Sequence, residues 1–216
     1  MQLKKAFEAE HGCLVDCNFG AVGMMKDRLL AGAPCDVLIL TEALVEQLTA
    51  SGELLPGTAK ALGLVKTGIA VKRGEPRPDV STPGALKAAL QAATGIYFPD
   101  PVKSTAGIHF MATLQKLGLY EQLAGRLRSF PNGATAMKAM AETPGEGLIG
   151  CTQVTEILFT SGVSLTANLP VDFELATLYS AAICTRAGNR DLANELVLSL
   201  AGDGAAEARR NCGFEN

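Results

Sequence analysis

The sequence predicts an α/β protein of two lobes with mainly parallel sheets, and three observations carry that prediction. Apolar strand-like runs alternate with segments of helical periodicity along the chain. The runs Asp36-Val37-Leu38-Ile39-Leu40, Gly95-Ile96-Tyr97-Phe98 and Gly147-Leu148-Ile149-Gly150-Cys151 are almost continuously apolar, the mark of strands covered on both faces. Two such series are joined near 74–78 and again near 168–172. The chain is therefore expected to cross twice, with 1–74 and 171–216 forming lobe I and 75–170 forming lobe II.

Each element has its own signal. Leu3, Ala6 and Phe7 predict a helix stopped by Gly12, and Cys13 to Phe19 reads as a strand. Gly20-Ala21-Val22-Gly23 opens a helix carrying Met24, Met25, Leu29 and Leu30, closed at Gly32. After the strand at 36–40, Thr41 caps a helix that runs to Ser51 and Gly52. Gly63 to Lys72 is β-rich. Thr82 with Pro83 starts a helix in the position where proline fits. Pro99-Asp100-Pro101 breaks the strand at 95–98, and Ser104-Thr105-Ala106-Gly107 begins a helix to about Leu117. A weak strand at Arg128 to Phe130 leads to a helix at Ala134 to Glu142, and the strand at 147–151 to a short helix at Thr155 to Leu158. Leu175 to Thr185 is a long strand, and two helices, about Asp191 to Leu200 and Ala205 to Arg210, follow it.

Composition narrows the function. With 48% apolar and 19% charged residues the chain is not intrinsically disordered. A net charge of −3 gives no basic excess, so nucleic acid is not an expected partner. Aromatics at 5% and no Trp leave few stacking platforms. No apolar run approaches the ~20 residues that span a bilayer, so membrane insertion is not expected. Met1 to Glu8 is amphipathic and lacks a signal peptide's apolar core, which leaves a cytoplasmic location open.

Six cysteines, at 13, 17, 35, 151, 184 and 212, do not read as a disulfide framework. On an extended strand Cys13 and Cys17 would stand ~13 Å apart, beyond disulfide reach. Cys35, Cys151 and Cys184 adjoin apolar runs, where Cys behaves as a small hydrophobe. His11, Cys13 and Cys17 match no zinc spacing, so no metal or other cofactor is expected.

In doubly wound sheets ligands bind beyond the carboxyl ends of strands, which singles out the strand-to-helix turns. Four are rich in small residues: Gly20 to Gly23, Ser104 to Gly107, Asn132 to Thr135 and Cys151 to Thr155. Unpaired N–H groups and the dipole at a helix start favour anions. An ordinary turn between strand and helix is the competing reading of each. The phosphate-loop, dinucleotide and nucleophile-elbow glycine motifs are absent. His109 lies one turn inside its helix, where it would act as a base or hydrogen-bond donor or pack on the lobe; Asp100 and Glu156 near strand ends would act as acid or base, cap helices or fix loops. Tyr179 interrupts an apolar strand, and its hydroxyl needs a partner if buried.

Several runs together resemble the periplasmic molybdate-binding protein family: Phe19-Gly20-Ala21-Val22-Gly23, Ala31-Gly32-Ala33-Pro34-Cys35-Asp36-Val37-Leu38-Ile39, Asp100-Pro101 with Ala106-Gly107-Ile108-His109-Phe110, Gly150-Cys151-Thr152-Gln153-Val154-Thr155-Glu156, and Leu169-Pro170. The resemblance implies the type II periplasmic-binding-protein fold, an ABC importer with its permease as partner, and a small anionic ligand in an interlobe cleft. The ligand would be a molybdate-like oxyanion or an organic carboxylate. By this resemblance Ala21, Val22, Thr105, Ala106 and Tyr179 bind it, and Gly20, Gly107 and Gln153 from the same turns join them. The resemblance also implies a periplasmic location and a strand ahead of the first helix. That strand would lie between the next two in the sheet, a slot that another segment or a partner chain would otherwise fill. The branch with Ala-Gly-Ile-His-Phe is similar to aconitate isomerases. For an isomerase His109 would be the proton shuttle, since moving a double bond requires removal and return of a proton.

Overall fold

The computed structural model describes residues 2–215. In chain order the elements are α1 (Gln2–His11), α2 (Val22–Leu30), β1 (Val37–Thr41), α3 (Glu42–Ala50), β2 (Lys60–Lys72), α4 (Pro83–Ala92), β3 (Gly95–Pro99), α5 (Thr105–Lys116) and α6 (Tyr120–Leu123). They continue with β4 (Leu127–Phe130), α7 (Gly133–Glu142), β5 (Leu148–Gln153), α8 (Val154–Phe159), β6 (Val163–Asn168), β7 (Ala176–Ile183), α9 (Arg190–Ala201), α10 (Ala206–Asn211) and β8 (Phe214–Glu215). The chain parts into two compact units, Met1–Leu64 with Thr177–Asn216, and Val65–Ala176. It passes between them inside β2 and inside β7.

Local chemistry sets the boundaries. Pro83 opens α4 and the Thr82 hydroxyl accepts from Ala85 N at 3.1 Å. Asn189 caps α9 by accepting from Leu192 N at 3.0 Å. Gly32 and Gly52 stop α2 and α3 at φ 89° and 85°, where a Cβ would be strained.

In the first unit β1 and β7 run antiparallel, with Val37 opposite Ile183 and Thr41 opposite Tyr179. β7 neighbours β2, and β8 pairs with β2. Period-two alternation splits the core. Leu38, Leu40, Ala182 and Cys184 join Leu29, Val45 and Leu48 on one face. Ala181 and Ile183 join Leu62, Ala193 and Val197 on the other.

Cys13 to Phe19 is not a strand, contrary to the expectation from sequence. β1 pairs with β7 along one edge. Between its other side and the 13–19 segment lies a groove of about 660 Å3, lined also by α1, α2 and α9. The segment thus has no ladder to join. Glu8 holds its beginning, accepting from Cys13 N at its carbonyl (3.3 Å) and from Val15 N at Oε1 (2.8 Å). Leu14 and Phe19 are left 93% and 81% exposed, as no strand face covers them.

The second unit has the expected parallel centre. β3 pairs in parallel with β4, Ile96 opposite Leu127, and with β5, Gly95 opposite Leu148. β2 runs antiparallel to β5 and β6. Ile96 and Phe98 pack with Leu86, Leu90, Phe110 and Leu114. Tyr97, pointing the other way, packs with Met137, Met140 and Ile157. A helical layer on each face of β3 therefore brings α5 and α7 to the carboxyl ends of its strands.

Candidate functional site

The start of α5 is built on the end of β3. The Asp100 carboxylate accepts from Lys103 N at 2.9 Å and Val102 N at 2.7 Å, and these bonds, Lys103's first, hold its pKa below the usual Asp value. Ser104 N donates to the Asp100 carbonyl at 3.1 Å, and Ser104 Oγ accepts from Gly107 N at 3.4 Å. A Cβ on Gly107 would collide with the carbonyl oxygens of Pro99 and Asp100, so only glycine lets the helix sit this close to the strand end. The described residues supply no acceptor for the N–H groups of Thr105 and Ala106. These two donors stand at the positive end of a twelve-residue helix.

The start of α7 has the same framework with its donors occupied. Asn132 Oδ1 accepts from Thr135 N at 2.8 Å. Glu156 Oε1 accepts from Gly133 N at 3.0 Å and Ala134 N at 3.2 Å. Its Oε2 accepts from Thr152 Oγ1 at 2.5 Å. Burial pushes the carboxyl pKa upward, while Thr152, Ala134, Gly133 and Gln153 pull it down as donors. Glu156 thus serves α7 as an internal anion, and the turn 132–135 is closed by the protein itself.

The remaining predicted residues fall in different settings. Ala21, buried, precedes α2 without a capping side chain, and Gly20 and Val22 flank it. Gln153 is buried at the end of β5; with its amide turned so that the nitrogen faces β2, it donates to the Val65 and Lys66 carbonyls at 3.3 and 3.2 Å. It ties β5 to β2. Tyr179 stands opposite Thr41 on β7, its ring edge-on to Phe214 with centroids 6.4 Å apart. In the second unit the structure gathers Thr105, Ala106, Gly107 and His109 on one helix.

His109 Nε2 lies 2.7 Å from the carbonyl oxygen of Phe173, in the 3-10 turn Val171–Phe173. A carbonyl only accepts, so Nε2 carries the hydrogen in this contact. Thr105 and His109 are spaced i,i+4 and share a helix face, and helical side chains lean towards the N-terminus. The imidazole is tied to the Val171–Phe173 turn. Sequence reasoning named Glu156 as a candidate acid or base or as a helix cap; it caps a helix, and only the fold shows that the helix is α7, by bringing residue 156 to residue 133. Among the described residues no His, Cys, Asp and Glu cluster could hold a metal ion.

Two α/β units joined by two passages of the chain, with helix starts at strand ends, make the type II periplasmic-binding-protein fold. The chain belongs to the bacterial extracellular solute-binding protein family, whose model matches residues 1–215. It is 27% identical over 192 residues to an aconitate isomerase of Pseudomonas sp., covering 88% of this chain and 71% of that protein. It superposes on the periplasmic molybdate-binding protein of Azotobacter vinelandii with a TM-score of 0.81 at 18% identity, covering 100% of this chain and 93% of that one. A sulfate-binding protein of Mycobacterium tuberculosis matches with a TM-score of 0.74 at 14% identity, covering 98% and 80% of the two chains. At such identities these two structures show the fold. No helix among the described residues is long and apolar enough to cross a membrane.

Proposed function

We propose that this solute-binding protein takes a small anion, an oxyanion or an organic carboxylate, at the amide donors that open α5, and works outside the cytoplasm with an ABC permease. The observation that carries this is the pair of N–H groups at Thr105 and Ala106 without an acceptor among the described residues, beside an α7 whose equivalent donors hold the Glu156 carboxylate. The protein's own use of a carboxylate at one helix start supports anion binding at the other. The start of α2 offers the same chemistry in the first unit.

The test is thermal unfolding with molybdate, tungstate, sulfate, citrate and cis-aconitate. A ligand that binds only the native state raises Tm with the logarithm of its excess, so one anion class is expected to give a saturable rise. Thr105→Pro removes one donor at the helix position where proline is tolerated, and Ser104 already has the extended backbone a following proline requires, φ −102° and ψ 129°. Binding of the responding anion should weaken about tenfold in that variant, with the ligand-free Tm little changed. Unchanged melting with every anion overturns the reading.

The aconitate isomerase relative favours a second reading, isomerisation of a small unsaturated acid. His109 Nδ1 would take and return the proton while the Phe173 carbonyl holds Nε2–H. Turnover of cis- or trans-aconitate that disappears in His109→Ala supports it; absence of turnover in the unaltered protein removes it.

A further inference from the structure

We propose that Cys35 and Cys184 form a reversible disulfide, with Cys35 as the attacking thiol and Cys184 as the resolving one. All six cysteines are free thiols in this structure. Cys184 follows the last residue of β7, and its N–H donates to the Asp36 carbonyl at 2.9 Å, extending the β1–β7 ladder by one step. That bond places Cys184 beside the residue after Cys35, and Cys35 packs against the buried cluster that contains Cys184. Cys35 Sγ donates to the Val37 carbonyl at 3.4 Å, and the Cys184 thiol stands close enough to shift the Cys35 pKa. Cys35 stands one residue along from Asp36, the residue opposite Cys184, and both cysteine side chains pack in the same cluster.

The two sulfurs differ in a way that assigns their roles. Cys35 is half-buried and lines the groove beside β1, so a reagent reaches it; Cys184 is buried behind it. Interaction with the Cys184 thiol pulls the Cys35 pKa down, and the same interaction pushes Cys184 up. Cys151 is enclosed in the core of the other unit.

The oxidant is a small disulfide such as oxidised glutathione. The Cys35 thiolate attacks one sulfur of that disulfide, its S–S bond breaks, and one glutathione thiolate leaves. Cys184 then gives up its proton to solvent and attacks the Cys35 sulfur, releasing the second glutathione. The sum is two protein thiols plus one glutathione disulfide giving one protein disulfide plus two glutathione thiols. The new bond would staple the turn that leads into β1 to the end of β7 and close a loop of about 150 residues.

The full-length protein is equilibrated with oxidised or reduced glutathione, quenched with acid and unfolded for thiol counting. The count is expected to fall from six to four on oxidation, with Tm raised by roughly 5 °C or more. Digestion with trypsin and a glutamate-specific protease, which parts Cys151 from Cys184 at Glu156 and Glu174, should yield a Cys35–Cys184 peptide pair. Cys35→Ser should lose both changes. Cys184→Ala, which keeps a small apolar side chain in the core, should instead trap glutathione on Cys35. Six thiols after oxidation, a bridge between other cysteines, or glutathione remaining on Cys35 of the unaltered protein would each overturn the proposal.

Discussion

α5 and α7 start from adjacent parallel strands, β3 and β4, and each is capped by a short polar side chain, Ser104 or Asn132. Each carries a glycine in its first turn that cannot accept a Cβ, Gly107 or Gly133. The difference lies in what meets the free donors. At α7 the carboxylate of Glu156 arrives from the next helix; at α5 the described residues bring none. A parallel α/β unit therefore makes anion-favouring helix starts as a matter of course. Whether one becomes a ligand site depends on whether another part of the chain supplies the anion first.

Substituting the two glycines breaks the comparison most severely. In Gly107→Ala the added methyl meets backbone, the Pro99 and Asp100 carbonyls, which cannot move without displacing α5 from the end of β3. A loss of about 3 kcal/mol is expected, with loss of anion binding. In Gly133→Ala the methyl meets the side-chain ends of Thr152 and Glu156, which can turn aside. That variant should lose about 2 kcal/mol and keep whatever binding α5 supports. Denaturant midpoints for the pair settle the order, and equal losses would mean the strand end yields as readily as a side chain.

Glu156→Ala tests whether the starts of α5 and α7 are chemically alike. Removing the carboxylate strips the acceptor from Gly133 N, Ala134 N and Thr152 Oγ1. The cost should be about 2 kcal/mol. Acetate or sulfate should then raise the Tm of Glu156→Ala more than that of the unaltered protein, as the added anion takes the vacated donors. No differential rescue would show that the α7 start is specific to its tethered glutamate.

Glu156→Gln is gentler and acts through pH. The amide oxygen still accepts from Gly133 and Ala134, and its nitrogen donates to the Thr152 hydroxyl. Burial raises the folded carboxyl pKa above its ordinary value of 4.5, so the folded state holds that proton more tightly than the unfolded state. The contribution of this carboxyl to stability is then fully present below pH 4.5 and lost as pH rises through the raised folded value. Glu156→Gln should gain on the unaltered protein between pH 4 and 7 in urea midpoints. A constant difference across that range would mean that the four donors offset burial.

Much of this was legible in the sequence because it is local. Ser104-Thr105-Ala106-Gly107 announces a capped helix directly after the strand that ends at Pro99, and the fold puts α5 there. Asn132 three residues ahead of Thr135 gives the α7 cap in the same way. The strand at Val163–Asn168 was also written locally: Val163, Leu165 and Ala167 alternate with Ser164, Thr166 and Asn168, a period-two signal left unread. What the sequence could not show depends on distant partners. Cys13 to Phe19 has strand composition but no neighbour, since the groove beside β1 separates it from the ladder. Glu156 is 23 residues from the amide it caps, a distance no local pattern spans.

The smallest expected effect separates the two caps themselves. Asn132 Oδ1 accepts from Thr135 N at 2.8 Å, whereas Ser104 Oγ stands 3.4 Å from Gly107 N, at the long end of such bonds. Asn132→Ala should cost about 1 kcal/mol and Ser104→Ala about half that, a Tm difference between them of roughly 1–2 °C. The looser bond has a mechanistic sense if α5 is the ligand site: a bound anion, not the cap, would then be what fixes its first turn. Saturating the protein with the anion that shifts its melting should shrink the Ser104→Ala deficit and leave the Asn132→Ala deficit unchanged. If both deficits respond alike, the anion stabilises the unit as a whole, and its site does not lie at the start of α5.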